Sequence, residues 1–294
     1  MNAQIADRFE SMRPLLVRHA YRMLGQYTEA EDVVQDAFLR WSEAFAKGAI
    51  DDEKAYLRTI VTRLCLDRLR SARARREVYV GPWLPEPVLS EEREQPEEAA
   101  VLADDISFAL MLALERLAPL ERAAFLLHDA LSVPFDEVAQ TLGRSEEAVR
   151  KLASRAREHV RDANRRPATN HDEAMRLRDA FLAAISNDDA AALQQLLTDE
   201  VLFVSDGGGK VPSATVPVTG RDRVTQLLLG LKRKGAAAVR RIELVMLNGV
   251  PGYALITDAG VDTAIALEIS DGKIAAMYAV RKPEKLRTIT SVLL

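Results

Sequence analysis

The side chains with the clearest chemical use are basic and come in two clusters. Lys54, Arg58, Arg63, Arg68, Arg70, Arg73, Arg75 and Arg76 are set against one acid, Asp67. Arg144, Arg150, Lys151, Arg155, Arg157, Arg161, Arg165 and Arg166 are offset only by Glu146, Glu147, Glu158 and Asp162. Groups of this kind at this density neutralise phosphates, and a guanidinium fork also reads the edge of a guanine. Between the clusters the sign reverses, with Glu86, Glu91, Glu92, Glu94, Glu97, Glu98, Asp104 and Asp105. The net charge is −4, so the local distribution of charge, not the total, points to a polyanionic partner.

Catalytic and metal chemistry have weaker footing. His19, His128, His159 and His171 are scattered and Cys65 is the sole cysteine, a pattern without metal-ligand spacing and unable to form an internal disulfide. "DGGGK", Asp206 to Lys210, departs from a phosphate-binding loop: Val204 stands five residues before Gly209, where glycine is needed, and Val211 follows Lys210 in place of Ser or Thr. No cofactor or metal is therefore expected. The glycines Gly207, Gly208 and Gly209 read as backbone lying close against another surface, or as a flexible hairpin tip. Asp206, Tyr253, Asp258, Asp262, Glu268 and Tyr278 remain as candidate proton carriers.

Three modules are expected to position these groups. The first, residues 1–76, is helical. Ile5, Phe9, Met12, Leu16, Ala20 and Met23 recur at helical spacing, with Pro14 opening a new helix and Gly25 closing it. Thr28 with Glu31 forms a capping box before an apolar stripe of Val33, Val34, Ala37, Phe38, Trp41 and Phe45, and Asp51 or Asp52 caps a third helix. Phe38, Trp41 and Phe45 are either core or a platform for unpaired bases.

The second module, residues 105–166, centres on "FDEVAQTLGRSEEAV". Ala139 follows Phe135 by four residues, Gly143 comes four further on and Val149 six beyond, the offsets of a helix-turn-helix. Burying Val149, Leu152, Ala153, Ala156 and Val160 turns Glu147, Arg150, Lys151, Ser154 and Arg155 outward, toward a major groove. The competing reading is a helical hairpin with a solvated basic face. The third module, residues 171–294, has helices at Ala174 to Ile185 and Ala190 to Leu197 and another after Gly220. β-rich runs follow at Ala238 to Leu247, Tyr253 to Asp258, Val261 to Ile269 and Ile274 to Arg281, which predicts an α+β cone. Between the first two modules, in the 77–104 linker, lies "GPWLPEP", a proline-stiffened strip with an aromatic, unlike an ordinary flexible linker.

With 294 residues, 48% of them hydrophobic and 29% charged, the chain suits several globular domains. One cysteine and the lack of any run of about 18 apolar residues predict a cytoplasmic protein that does not span a membrane.

"EAEDVVQDAFLRW", "AYLRTIVTRLCLDRLRSARARRE" and the helix-turn-helix together resemble the extracytoplasmic-function (ECF) sigma factors of bacteria, over residues 1 to about 166. The resemblance implies a transcription initiation factor whose partners are core RNA polymerase and promoter DNA. It assigns Asp32, Val33, Gln35, Asp36 and Leu39 to the polymerase clamp helices. The segment from Phe45 through Arg68, with Arg58, Arg63 and Arg68, is assigned to the minus-ten element, and the second module, with Arg144, Arg150, Lys151, Ser154 and Arg155, to the minus-thirty-five element. The last ~120 residues, one domain in size, resemble SnoaL-like domains of the nuclear-transport-factor-two-like superfamily. "WLPEP" and "DGGGK" resemble the sigma factor subgroup that carries this extension, including the sigma-J type. Its Asn-Pro-Asp-Lys-Leu motif reads here as Lys282, Pro283, Glu284, Lys285 and Leu286.

A non-enzymatic, autoregulated sigma factor is expected, monomeric when free. Trp83, Leu84, Pro85, Glu86 and Pro87 form a docking strip for the third module, with Trp83 and Leu84 buried and Lys210 approaching Glu86. The alternatives are a helix-turn-helix regulator sensing a small-molecule ligand in its cone, or a SnoaL-like enzyme tethered to DNA.

Overall fold

The structure, a computed structural model, describes residues 2–48, 50–76, 79–90, 106–161, 170–235 and 238–294, with backbone alone at 2–6 and 72–76. The Ile5, Arg73, Arg75 and Arg76 side chains, the acidic residues from Glu91 to Asp105, and Asp162, Arg165 and Arg166 lie outside the described residues. The chain divides into two compact units, residues 1–78 with 111–164 and residues 79–110 with 165–294.

In the first unit, α1 (Asn2–Leu24) runs unbroken through Pro14, where a new helix was expected. A proline costs an interior helix about 3 kcal/mol. The apolar stripe continues on both sides of it, with Phe9, Leu16, Val17, Ala20 and Met23 all buried, and that packing holds the helix together. Gly25 ends it at φ 70°. α2 (Tyr27–Ala46) starts ahead of the expected capping box, with Gln26 at its N-cap. Val33, Val34, Ala37 and Trp41 form its buried face, and Trp41 packs 5.8 Å from Phe9 and 5.3 Å from Phe45. Trp41, wholly buried, is core and not a base-stacking platform. Asp52 accepts the Ala55 amide at 3.0 Å and so caps α3 (Glu53–Arg76).

After α4 (Phe108–Glu115), α5 (Pro119–Phe125) leads through a π turn into α6 (Phe135–Leu142) and α7 (Glu146–Val160). The buried Arg122 of α5 donates to the Met23 carbonyl at 2.6 Å and pairs with Glu115 at 3.0 Å. The helical bundle and the helix-turn-helix thus share one compact unit.

The second unit pairs α8 (His171–Ser186), α9 (Ala190–Leu196) and α10 (Arg221–Gly235) with a curved sheet. Its strands are β1 (Leu89–Ser90), β2 (Leu197–Asp206), β3 (Val218–Thr219), β4 (Arg241–Leu247), β5 (Val250–Thr257), β6 (Gly260–Ser270) and β7 (Lys273–Val280). Their spatial order is β1-β4-β5-β6-β7-β2-β3. Every pairing is antiparallel except β2 with β7. Helix side chains Phe181, Leu193 and Leu228 pack against Phe203, Tyr253, Leu267 and Met277 to fill the interior. This is the α+β cone expected from the sequence.

The β2–β7 pair places the site. Parallel strands leave a sheet at the same end, and Asp206 is aligned with Val280 there. The Asp206 carbonyl accepts the Arg281 and Lys282 amides at 2.8 and 3.0 Å, and a 3-10 turn (Pro283–Leu286) leads into α11 (Arg287–Leu293). "DGGGK" and "KPEKL" are therefore neighbours because of strand direction. A further feature, not expected, is that the connector itself enters the sheet: Leu89 and Ser90 pair with Leu247 and Met246. Residues 79–90 thus pack as part of the second unit and not as a separate linker.

Candidate functional sites

In the helix-turn-helix, Gly143 closes α6 at φ 62°, a left-handed conformation that other residues adopt only with strain. Ser145 then caps α7 by accepting the Ala148 amide at 3.3 Å. Val149, Ala153, Ala156 and Val160 are buried and Leu152 is half-buried, which leaves Arg144, Arg150, Lys151, Ser154 and Arg155 exposed. Arg150 is tied to Glu146 one turn earlier and lies with its Cζ 4.2 Å from the centre of the Phe135 ring. Lys151 pairs with Glu147 at 2.6 Å, and Arg155 lies 3.9 Å from Glu121. The pairs with Glu146 and Glu147 are exposed and weak, so a phosphate can replace either carboxylate.

The α2–α3 surface differs from expectation in three places. Val33 is wholly buried and cannot touch a partner, whereas Asp32, Gln35, Asp36 and Leu39 are exposed, Leu39 at 53%. Arg58 pairs with Glu137 at 2.8 Å, and Arg63 donates to the Thr141 and Gln140 carbonyls at 3.1 and 3.2 Å, so both arginines bind α6 and are not free basic groups. Arg68 reaches Asp36 at 3.4 Å and Asp32 at 3.6 Å, linking the expected DNA residue to the expected polymerase residues. Spacing reveals which helix face is basic; it does not reveal that carboxylates and carbonyls of another helix lie on it.

His19, buried beside Thr62 at 2.9 Å, is held down to a pKa of about 3, first by burial and then by the Arg22 and Arg58 charges. Burial raises the Cys65 thiol well above its ordinary range, which leaves it without nucleophilic character.

The strip at residues 79–90 meets the second unit around one carboxylate. Asp206 is wholly buried. Its Oδ1 accepts the Tyr79 hydroxyl at 2.6 Å and the Gly208 amide at 3.0 Å, while Oδ2 accepts the Leu84 amide at 2.9 Å and Lys285 Nζ at 2.8 Å. Four donors occupy the four acceptor positions of an ionised carboxyl group. Lys285 Nζ also donates to the Leu84 carbonyl, so Leu84 is held through both its backbone amide and its carbonyl.

The glycines have a steric purpose. A Cβ on Gly209 would stand 3.1 Å from the Val80 Cβ, and one on Gly208 would meet Lys282 Cδ at 2.7 Å. Gly207 is equally confined, with Val211 O at 2.3 Å from such an atom. The loop is thus a close backbone approach, as one of the two sequence readings had it.

Other expectations about the strip change. Leu84, Pro85, Glu86 and Pro87 are buried, but Trp83 is only half-buried, with Lys285 Nζ 4.4 Å from its ring centre. Lys210 pairs with Glu284, whose carboxyl it holds below the usual range, and not with Glu86. Glu86 accepts from Thr288 at 2.9 Å. Lys282, which stands where the subgroup motif has Asn, places Nζ 5.0 Å from the Tyr79 ring centre, and Pro283 and the buried Leu286 build the turn. Tyr79, Thr288 and Asn248 were not foreseen; their types are common in turns and strands, and nothing in their spacing marks them.

The candidate proton carriers are spread over different surroundings. Asp258 is exposed and held below the usual carboxylate range by Arg240, and Asp262 pairs with Arg281 at 3.0 Å. Glu268 accepts the Tyr278 hydroxyl at 2.7 Å under the stacked ring of Phe108, and burial raises the Tyr253 hydroxyl within the core.

A helical bundle followed by a helix-turn-helix with an exposed basic recognition helix defines the class, a two-module sigma factor. The profile of sigma-70 region 2 matches residues 8–75, and that of sigma-70 region 4 matches residues 107–160. ECF RNA polymerase sigma factor SigJ of Mycobacterium tuberculosis H37Rv is 41% identical over 95% of this chain and 92% of its own length. Probable ECF RNA polymerase sigma factor SigI of the same species is 30% identical over 96% and 94%. The crystal structure of Mycobacterium tuberculosis SigJ superposes with a TM-score of 0.76 at 37% identity, over 96% of this chain and 98% of that one. The chain belongs to the ECF RNA polymerase sigma factors. Its C-terminal α+β domain is fused to the two DNA-directed modules that define the family.

Proposed function

We propose that the C-terminal domain regulates this sigma factor by holding the connector between regions 2 and 4. The observation that carries the reading is the buried Asp206 carboxylate, shared among Tyr79, Leu84 and Lys285. A strip stiffened by Pro82, Pro85 and Pro87 loses little entropy when it docks, so a few buried contacts suffice to hold it. Release lengthens the connector that core polymerase must thread. Its acidic residues from Glu91 to Asp105 suit a basic channel of polymerase. In this reading the free protein is a cytoplasmic monomer. It engages core polymerase through Asp32, Gln35, Asp36 and Leu39, and promoter DNA through Arg144, Arg150, Lys151, Ser154 and Arg155. The apolar packing of Phe181, Leu228 and Met277 gives the domain a core of its own on which the strip can dock.

Hydrogen exchange on the intact chain and on a chain ending after Arg166 tests the docking. Residues 79–88 exchange much faster in the shortened chain if the domain holds them. Equal rates in the two chains would remove the reading.

A further inference from the structure

Asn248 is wholly buried in the turn between β4 and β5 and holds φ at 52°, with Gly249 next to it at 77°. Asn-Gly is the dipeptide such a hairpin turn requires, because both central residues need positive φ. That explains the backbone but not the side chain, which could serve the turn equally well if it pointed to solvent. Instead Oδ1 accepts the Val88 amide at 2.9 Å, and Nδ2 donates to the Ile106 carbonyl at 2.8 Å. The backbone of the same turn adds two more bonds: the Asn248 amide donates to the Val88 carbonyl at 2.9 Å, and the Gly249 amide to Ser90 Oγ at 3.1 Å.

Val88 and Ile106 are the near and far ends of the acidic connector. The seventeen residues between them would reach roughly 60 Å fully extended. Both ends are nevertheless bonded to the two sides of one amide group. Beyond Ile106, Phe108 stacks on Tyr278 with ring centres 5.1 Å apart, so the far end is also seated in the second unit.

We infer that Asn248 is a clamp that fastens Val88 and Ile106, on either side of the acidic connector, at one point of the C-terminal domain. The clamp lies outside the Asp206 network. Release at Leu84 alone leaves Val88 and Ile106 held at this amide, and separating them requires it to give up both bonds. The consequence for transcription rests on the regulatory reading above; the clamp itself does not.

Two substitutions in the full-length chain separate the ends. Asn248→Gly keeps the turn, since glycine takes positive φ freely, and removes both side-chain bonds. Asn248→Asp keeps an acceptor for the Val88 amide but turns the donor facing Ile106 into an anion. Hydrogen exchange should rise roughly fivefold or more, the equivalent of one net hydrogen bond, in both 86–90 and 106–110 for Asn248→Gly. For Asn248→Asp the rise should be confined to 106–110. The strands Gly260–Ser270 and Lys273–Val280 report on the domain as a whole; if Asn248→Gly speeds them too, Asn248→Asp decides alone. Wild-type exchange at 106–110 in Asn248→Asp overturns the clamp. Asp206→Ala, measured in parallel, reports on the Leu84 network, so failure of one reading is distinguishable from failure of the other.

Discussion

Lys285 Nζ and Asp206 Oδ2 meet at 2.8 Å with 2% and 0% of their side chains exposed. A pair this deep is weak support for stability as a whole, because desolvation offsets most of the attraction, but removing one member leaves a buried charge uncompensated at about 3–5 kcal/mol. Asp206→Ala should therefore release residues 79–88 and raise their hydrogen exchange by orders of magnitude. Lys210→Ala breaks only the exposed pair with Glu284, worth about 0–1 kcal/mol, and should leave exchange in the strip close to wild type. Comparable effects from the two would show that the buried pair does not hold the strip.

Leu84, not Trp83, is the apolar anchor. Leu84 is wholly buried, and truncating such a side chain costs about 2–5 kcal/mol. Half-buried Trp83 contributes partial burial and a cation–π contact of about 0.5–2 kcal/mol. Urea midpoints followed at the second unit should rank Leu84→Ala below Trp83→Ala, and the reverse order would return the anchor to the tryptophan.

The difference between these two residues shows what the sequence can and cannot reveal. The helix-turn-helix and the α+β cone were legible because each rests on a period or on fixed offsets, such as Gly143 six residues before Val149. "WLPEP", "DGGGK" and "KPEKL" were singled out as motifs through resemblance, and Asp206 of the second bonds Leu84 of the first and Lys285 of the third. Within the latch, pairing Trp83 with burial and Lys210 with Glu86 followed residue size and charge. The actual partners follow from the parallel β2–β7 pair, which brings Lys285 over Asp206 from 79 residues away. Asn248 was not foreseen, because its side-chain partners, the Val88 amide and the Ile106 carbonyl, are backbone groups with no signature of their own. The contacts of Arg58 with the Glu137 carboxylate and of Arg63 with carbonyls of α6 were hidden in the same way, because neither partner has a spacing signature.

On the recognition helix, Arg150, Lys151, Ser154 and Arg155 should set the upstream promoter preference. Losing an arginine that reads a guanine edge costs about 1–3 kcal/mol and relaxes one position, whereas losing a phosphate contact weakens all sequences alike. Reporter output from a randomised upstream element distinguishes these outcomes for each alanine variant. An unchanged preference in all four would remove α7 from the reading role.

The stability of the first unit should fall in mild acid because of His19. Below pH 6.5 the unfolded chain takes up a proton that native His19 refuses until about pH 3, so stability is lost as pH drops through that window. The slope is roughly 1.4 kcal/mol per pH unit, or about 2 kcal/mol between pH 6.5 and 5. His19→Gln keeps a hydrogen-bonding group near Thr62 and removes the titration. Urea unfolding followed by Trp41 fluorescence in a Trp83→Phe background should show a smaller loss for the variant between pH 7 and 5. Equal losses would assign the acid sensitivity to other groups.

The central claim, that the docked domain controls initiation, is tested most directly by purified transcription with core polymerase and a cognate promoter, comparing the full-length protein with Asp206→Ala. If docking restrains the connector, the variant gives severalfold more transcript while its affinity for core polymerase stays within about twofold, since the exposed face of α2 is untouched. Equal transcript from the two proteins, at equal polymerase occupancy and with the strip shown by hydrogen exchange to be released, would contradict it.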